Sequence, residues 1–277
     1  MIHRRALLAS AAFAALPFAA RAQASRLSFA GSRQQGSLVV GRALSGTRVT
    51  VDGAAVSVSP EGIFAFGLEY DQKTPAKIAA RYADGTAEEQ DVLPVPRQYE
   101  VQAINGLPHK FVQPSPEELA RIKSEHARVG VARRMDSSAT WFTEPFDWPA
   151  KGIISGLFGS QRILNGIPSA PHMGVDIAGG EGAPIHAPAN ATVLIADQFY
   201  LEGGYTLLDH GHGVFTGYMH QSVQLVKPGD PVQRGQQIGN IGHTGRATGP
   251  HLHWQMNWFQ VRLDPSLSAR TPAPDKA

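Results

Sequence analysis

The chain has 277 residues and a mass of 29.7 kDa, room for one large domain or two ordinary ones. Hydrophobic residues make up 42%, enough for a core and too many for a disordered chain, while the lack of any cysteine excludes disulfides, thiolate metal sites and cysteine nucleophiles. The formal charge of +2 is carried by the N-terminus: taking Arg4, Arg5 and Arg21 away with residues 1–24 leaves 22 basic residues against 23 acidic ones, so charge gives no support for nucleic-acid binding.

Residues 1–24 have the three parts of a cleavable export signal: a positive MIHRR, the apolar ALLASAAFAALPFA, and two A-x-A sites at Ala20–Ala22 and Ala22–Ala24. The apolar run is too short and alanine-rich for a good membrane anchor, so the expectation is a periplasmic or secreted protein with no stable membrane insertion after cleavage. Arg4-Arg5 also resembles a twin-arginine signal, and both export routes stay open.

Residues 25–97 read as a small β-sandwich-like domain. LVVGRAL, TRVTVDG, AAVSVSP and IFAFGLEY are short β-rich runs separated by Gly, Asp-Gly and Pro-Glu-Gly turns, and KIAARYADG and TAEEQDVLPV continue the meander. Residues 98–148 read as a linker, extended and loop-like over 98–114. It carries a helix at about 116–135 that starts at Ser115 as N-cap with Pro116 in the first helical position. Leu119, Ile122 and His126 mark its expected face, and a passive spacer is the favoured role. A chain beginning near Trp148 is therefore expected to fold and hold metal without the upstream region. Residues 149–268 are rich in glycine and short strands, which predicts a compact antiparallel β domain, and 269–277 read as a disordered polar tail. The fold class expected for the whole chain is mainly β.

Eight of the 11 histidines fall between His172 and His253. His251-Leu252-His253 in a strand puts both imidazoles on one face, because side chains alternate with period two. His172 and Asp176 are four apart in PHMGVDIA, with Gly174 between them free to bend, and His220 ends the strand GVFTGYMH. Two imidazoles and a carboxylate make a common zinc set with water in the fourth position, and further histidines beside it can move protons. A single H-x-H is more often structural, and H-x-x-x-D alone is weak; the specific signal is their combination with His220 between them.

The segments HMGVDIA, DHGHGVFTGYMH and GHTGRATGPHLHWQM closely resemble the lysostaphin/LytM-type zinc metallopeptidases, which cleave peptide bonds in bacterial peptidoglycan. The resemblance covers roughly residues 149–265. It implies an antiparallel β fold with a groove over the metal, zinc bound by His172, Asp176 and His253, and catalytic roles for His220 and His251. The implied function is an exported zinc endopeptidase acting on peptidoglycan cross-links or stem peptides. The alternative is a non-catalytic peptidoglycan-binding regulator of another wall hydrolase, which the complete set of five residues disfavours. A biotinyl or lipoyl carrier, suggested by VKPGDPVQRGQQIG, has Lys227 before Pro228 rather than at a turn tip and leaves the histidines unexplained. The export signal favours D-alanyl–diaminopimelyl cross-links over glycine bridges. Of the remaining residues, His210 and His212 read as hairpin turn residues, His186 and His243 as surface or groove wall, and His109 and His126 as outside the catalytic region. Tyr205 and Arg162 are candidates for the groove lining, and Asn165 for a place near the metal.

Overall fold

A computed structural model describes residues 25–271 and 273–275. The expected export signal at 1–24 lies outside the described residues.

The N-terminal region is two small sheets face to face. One is ordered Ser28–Ala30, Leu38–Arg42, Ile63–Gly67; the other is ordered Ala54–Val56, Arg48–Val51, Ala76–Arg81, Ala87–Val92, and all neighbours are antiparallel. Period-two alternation builds the interior: Val49, Val51, Ile78 and Ala80 of one sheet meet Val39, Phe64 and Phe66 of the other. The strand Ile63–Gly67 has both faces covered. Phe64 and Phe66 point into the sandwich, while Ile63 and Ala65, with Leu38, join the main core of the C-terminal domain. Arg97 reaches across to Asp264 at 2.8 Å, and the Tyr99 ring packs edge-on against Phe158. The sandwich is thus fused to its neighbour through apolar surface.

The linker is not loop-like throughout. Val101–Ile104 is a strand, paired in parallel with Gln161–Leu164 of the C-terminal domain. Asn165 fixes the connection: its Oδ1 accepts from Leu107 N and its Nδ2 donates to Leu107 O at 2.7 Å. Asn165 therefore clamps the linker, and its side-chain bonds go to Leu107 rather than to His172, Asp176 or His253.

The helix runs Pro116–Ala132. Ser115 Oγ accepts from Glu118 N and Glu118 Oε2 accepts from Ser115 N, a complete capping box. It ends three residues earlier than the sequence suggests, because Arg133 turns inward to donate to Tyr205 and Gln255. Its buried face is Ile122, Glu125 and Val129, and Leu119 is exposed. Val129 packs with Ile195, Phe199 and Tyr205, Glu125 accepts from Tyr200 N, and Arg128 pairs with Asp197. A passive spacer does not describe this element: it is a bracket on the outer face of the C-terminal sheet. A chain beginning near Trp148 would strip that cover, together with the strand Val101–Ile104.

The C-terminal domain is built on a sheet ordered Pro231–Val232, Ala191–Phe199, Gly203–Asp209, Val214–Gln224, Leu252–Trp258, Val175–Ala178, Ile153–Gly156. Pro184–His186 pairs with Gln237–Ile241, which also pairs with the end of Val214–Gln224. Part of the C-terminal tail is attached to this frame rather than free of it. Arg270 N donates to Phe146 O and Ile154 N donates to Asp275 O.

Candidate active site

The central strand pairings bring the predicted residues together. Asp176 lies directly opposite His253 in the antiparallel pair of Val175–Ala178 with Leu252–Trp258. Directly opposed side chains stand on the same face of a sheet. Met219 opposes His253 on the other side, and the next residue is His220. The strand does not end there, as the sequence suggests, but continues to Gln224 through an irregularity in its pairing with Gly203–Asp209. His220 sits at this bulge with φ +64°, a left-handed conformation that a non-glycine residue adopts only when its surroundings impose it. The bulge turns the imidazole toward the metal-binding face: its ring centroid is 4.7 Å from that of His251 and 6.3 Å from that of His253. His251 precedes the strand proper, bridged to Gly242.

His172 Nε2, Asp176 Oδ1 and His253 Nδ1 converge. Nitrogen to nitrogen is 2.8 Å, and the carboxylate oxygen is 3.1 Å and 2.7 Å from the two nitrogens. All three residues are buried. His172 Nδ1 is 3.0 Å from Leu157 O. A carbonyl oxygen only accepts, so Nδ1 carries the hydrogen, and in the neutral ring Nε2 is the atom with the lone pair. The same logic applies to His220, whose Nδ1 donates to Thr244 O at 2.8 Å, and to His251, whose Nδ1 donates to Gly249 O at 2.9 Å. In the neutral form each of these three rings therefore offers Nε2 to one region. Two ring nitrogens and a carboxylate oxygen this close need a proton or a metal cation between them, and with the nitrogens unprotonated this N,N,O set fits zinc.

The second carboxylate oxygen of Asp176 accepts from Arg162 Nη2 at 2.6 Å. Arg162 thus belongs to the site. Burial alone would push the Asp176 carboxyl up, but the facing His172 and His253 rings outweigh it and hold it well below the usual range. Burial pushes His253 down to about 4, and pushes His220 well below its usual value with the help of His251 and His253 beside it, so both are neutral at neutral pH. Two glycines clear the space. A Cβ on Gly156 would stand 2.4 Å from Asp176 Oδ2, and one on Gly174 would stand 2.6 Å from both His253 Nε2 and Trp254 O. Gly174 is required by close approach, not by a bend as the sequence suggests.

A cleft crosses this cluster. One arm is lined by His126, Glu202, Arg246 and Arg262, the other by Gln102, Leu107 and Pro250, and Arg162, His220 and Arg246 border both. Three residues here escape sequence reasoning. His126, placed outside the catalytic region by its position in the chain, is brought to the cleft by the helix and bonds Glu202 at 3.0 Å. Arg246 lies within GHTGRATGPHLHWQM but is given no role there, and Glu202 carries no pattern that marks it. Tyr205, expected in the groove, is instead buried beneath the helix. His210 and His212 are buried too, His210 between Asn190 O and Thr216 Oγ1. His243 is exposed and pairs with Glu181.

Residues 170–265 match the model of Peptidase family M23. Over 87 residues, 31% of this chain, the sequence is 42% identical to the peptidoglycan DD-endopeptidase ShyA of Vibrio cholerae, and over 112 residues, 40% of this chain, it is 40% identical to ShyB of the same organism. These stretches amount to 20% and 26% of the two relatives, so the chain spans about a quarter or less of their length. A crystal structure of a Pseudomonas aeruginosa protein described as a peptidase M23 superposes with a TM-score of 0.67 at 31% identity, covering 85% of this chain and 94% of that one. That likeness extends well beyond the catalytic motifs, over most of both chains. Motifs, site geometry and whole-chain likeness agree, and the chain belongs to peptidase family M23.

Proposed function

We propose that the protein is an exported zinc endopeptidase that hydrolyses peptide bonds in peptidoglycan. The observation that carries this reading is the convergence of His172 Nε2, Asp176 Oδ1 and His253 Nδ1, with the Nε2 atoms of His220 and His251 presented beside them. Relatives named as peptidoglycan DD-endopeptidases support the substrate class, and the export signal at 1–24 agrees with a wall substrate outside the cytoplasm.

His172, Asp176 and His253 would hold the metal. Zinc supplies a Lewis acid and lowers the pKa of water near it. Arg162 orients Asp176 by holding its outer oxygen. The backbone carbonyls of Thr244 and Gly249 keep His220 and His251 in the tautomer whose Nε2 can accept a proton. Each imidazole can then take a proton at Nε2 and return it to the departing amine. The cleft gives the peptide two arms that share Arg162, His220 and Arg246 beside this cluster.

The test is digestion of purified cell wall by the zinc-loaded protein, with released fragments identified by mass. Asp176→Ala is expected to lose zinc and activity together. His220→Ala and His251→Ala are expected to keep zinc and lose about 10²–10⁴-fold in turnover. Full zinc in the Asp176 variant would remove that residue from the ligand set. Intact wall after exposure to a zinc-loaded wild-type protein would favour the regulator.

A further inference from the structure

The cleft arm beside His126 carries more positive charge than its own anions neutralise. Glu202 is engaged with His126 at 3.0 Å. Arg262 donates to Gln255 Oε1 at 3.0 Å, and behind it the buried Arg133 donates to the same oxygen at 3.3 Å and leaves its Nε without a partner. Among the described residues, Arg133, Arg246 and Arg262 have no carboxylate in ion-pair contact, whereas Arg162 has Asp176. Burial disfavours the Arg246 cation, with Arg162 adding to the effect; burial, then Arg133, lowers the Arg262 guanidinium to about 9, and Glu202 opposes both shifts without cancelling them. Packing several desolvated cations around the single carboxylate of Glu202 is unfavourable, and an entering second carboxylate relieves it. The planar fork of a guanidinium suits that ligand.

The position of Arg246 identifies which carboxylate. It borders both arms together with His220, so it stands at the point where the cleft crosses the catalytic cluster. A carboxylate held there belongs to a residue next to the scissile amide. On the acyl side the main-chain carboxyl is consumed in the amide itself, so a free one belongs to the amine-side residue. We propose that Arg246 and Arg262 form a carboxylate subsite that takes the free carboxylate of the residue donating the scissile nitrogen. The inference rests on the peptidase reading above. A D-alanyl–diaminopimelyl cross-link carries such a carboxylate; a glycine bridge, extended through that carboxyl, does not.

The experiment uses the zinc-loaded full chain with two probes, N-acetyl-D-alanyl-D-alanine and its C-terminal amide. kcat/KM is read from released D-alanine or D-alaninamide. The wild type is expected to prefer the acid by tenfold or more, the worth of one charge-assisted hydrogen bond. Arg246→Gln is expected to bring the acid-to-amide ratio toward one with zinc content unchanged, and Arg246→Lys to keep part of it; Arg262→Gln is the second variant. Equal rates on the two probes in the wild type, or an Arg246→Gln variant that lowers both rates by the same factor, would overturn the subsite. Binding of each probe to the same proteins, followed by titration, reads the subsite without turnover. If the wild type cuts neither probe nor wall, the peptidase reading fails. Tighter acid than amide binding, lost in Arg246→Gln, would still establish the subsite, and no difference in binding would overturn it.

Discussion

Gly174→Ala tests whether the metal geometry is set by the backbone beneath it. The added Cβ would stand 2.6 Å from His253 Nε2 and 2.6 Å from Trp254 O, where ordinary contact begins near 3.4 Å. The carbonyl belongs to the central strand Leu252–Trp258, which is paired on both sides and has little room to yield. The imidazole must therefore move by roughly 0.8 Å, and metal–ligand distances tolerate only about 0.2 Å. Overpacking of this kind costs about 1–3 kcal/mol. Taken out of metal binding, that is about fivefold to 150-fold weaker zinc affinity. Competition with a chromophoric chelator measures the affinity, and a thermal melt of the metal-free protein separates misfolding from ligand displacement. Zinc affinity equal to wild type, with an unchanged melt, would show that His253 is not confined by Gly174.

Gly156→Ala is expected to weaken zinc in the same assay, through Asp176 rather than His253, because its Cβ would meet Oδ2 at 2.4 Å. A chain beginning at Trp148 exposes Ile195 and Phe199 and loses the strand Val101–Ile104, so in denaturant melts it is expected to unfold well below the intact chain; equal midpoints would return the helix to a spacer role. His210 is fully buried and held down to about 4 by that burial. The unfolded chain, with an imidazole pKa near 6.5, binds the proton that the folded one refuses. The resulting stability is complete above about pH 6.5 and is lost as pH falls toward 4, on the order of 3 kcal/mol in all. His210→Asn is expected to flatten the dependence of the unfolding midpoint on pH across that window, and an unchanged slope would assign it to other groups.

The clustering of His172, Asp176 and His253 was legible because these residues are close in sequence or in strand register. His172 with Asp176, and His251 with His253, are local pairs whose shared face follows from backbone geometry. That Asp176 opposes His253 is a property of strand pairing across 77 residues, and no local pattern states it. The bulge that aims His220 arises from a mismatch between two strands, visible only once they are paired. His126 reaches the cleft because Ile122, Glu125 and Val129 dock the helix on a particular face. Hydropathy alone suggested a stripe one step around, since it does not foresee Glu125 being buried by its bonds to Arg121 and Tyr200. The parallel strand Val101–Ile104 is four residues long and half-exposed, too short for periodicity to reveal.

The carbonyl tethers of the site have a consequence for how it can be altered. His172, His220 and His251 are oriented by oxygen atoms of Leu157, Thr244 and Gly249 that belong to the main chain. Replacing those side chains leaves the acceptors in place. At Gly249 a Cβ would meet open space, so even that residue can change without removing its oxygen. Mutational scanning of this protein should therefore find the five histidine and aspartate positions intolerant and the Gly249 position permissive, with Leu157 constrained by its packing on the core rather than by the bond its oxygen accepts. The wiring that fixes three tautomers is written in the path of the backbone, and it fails only when that path is displaced.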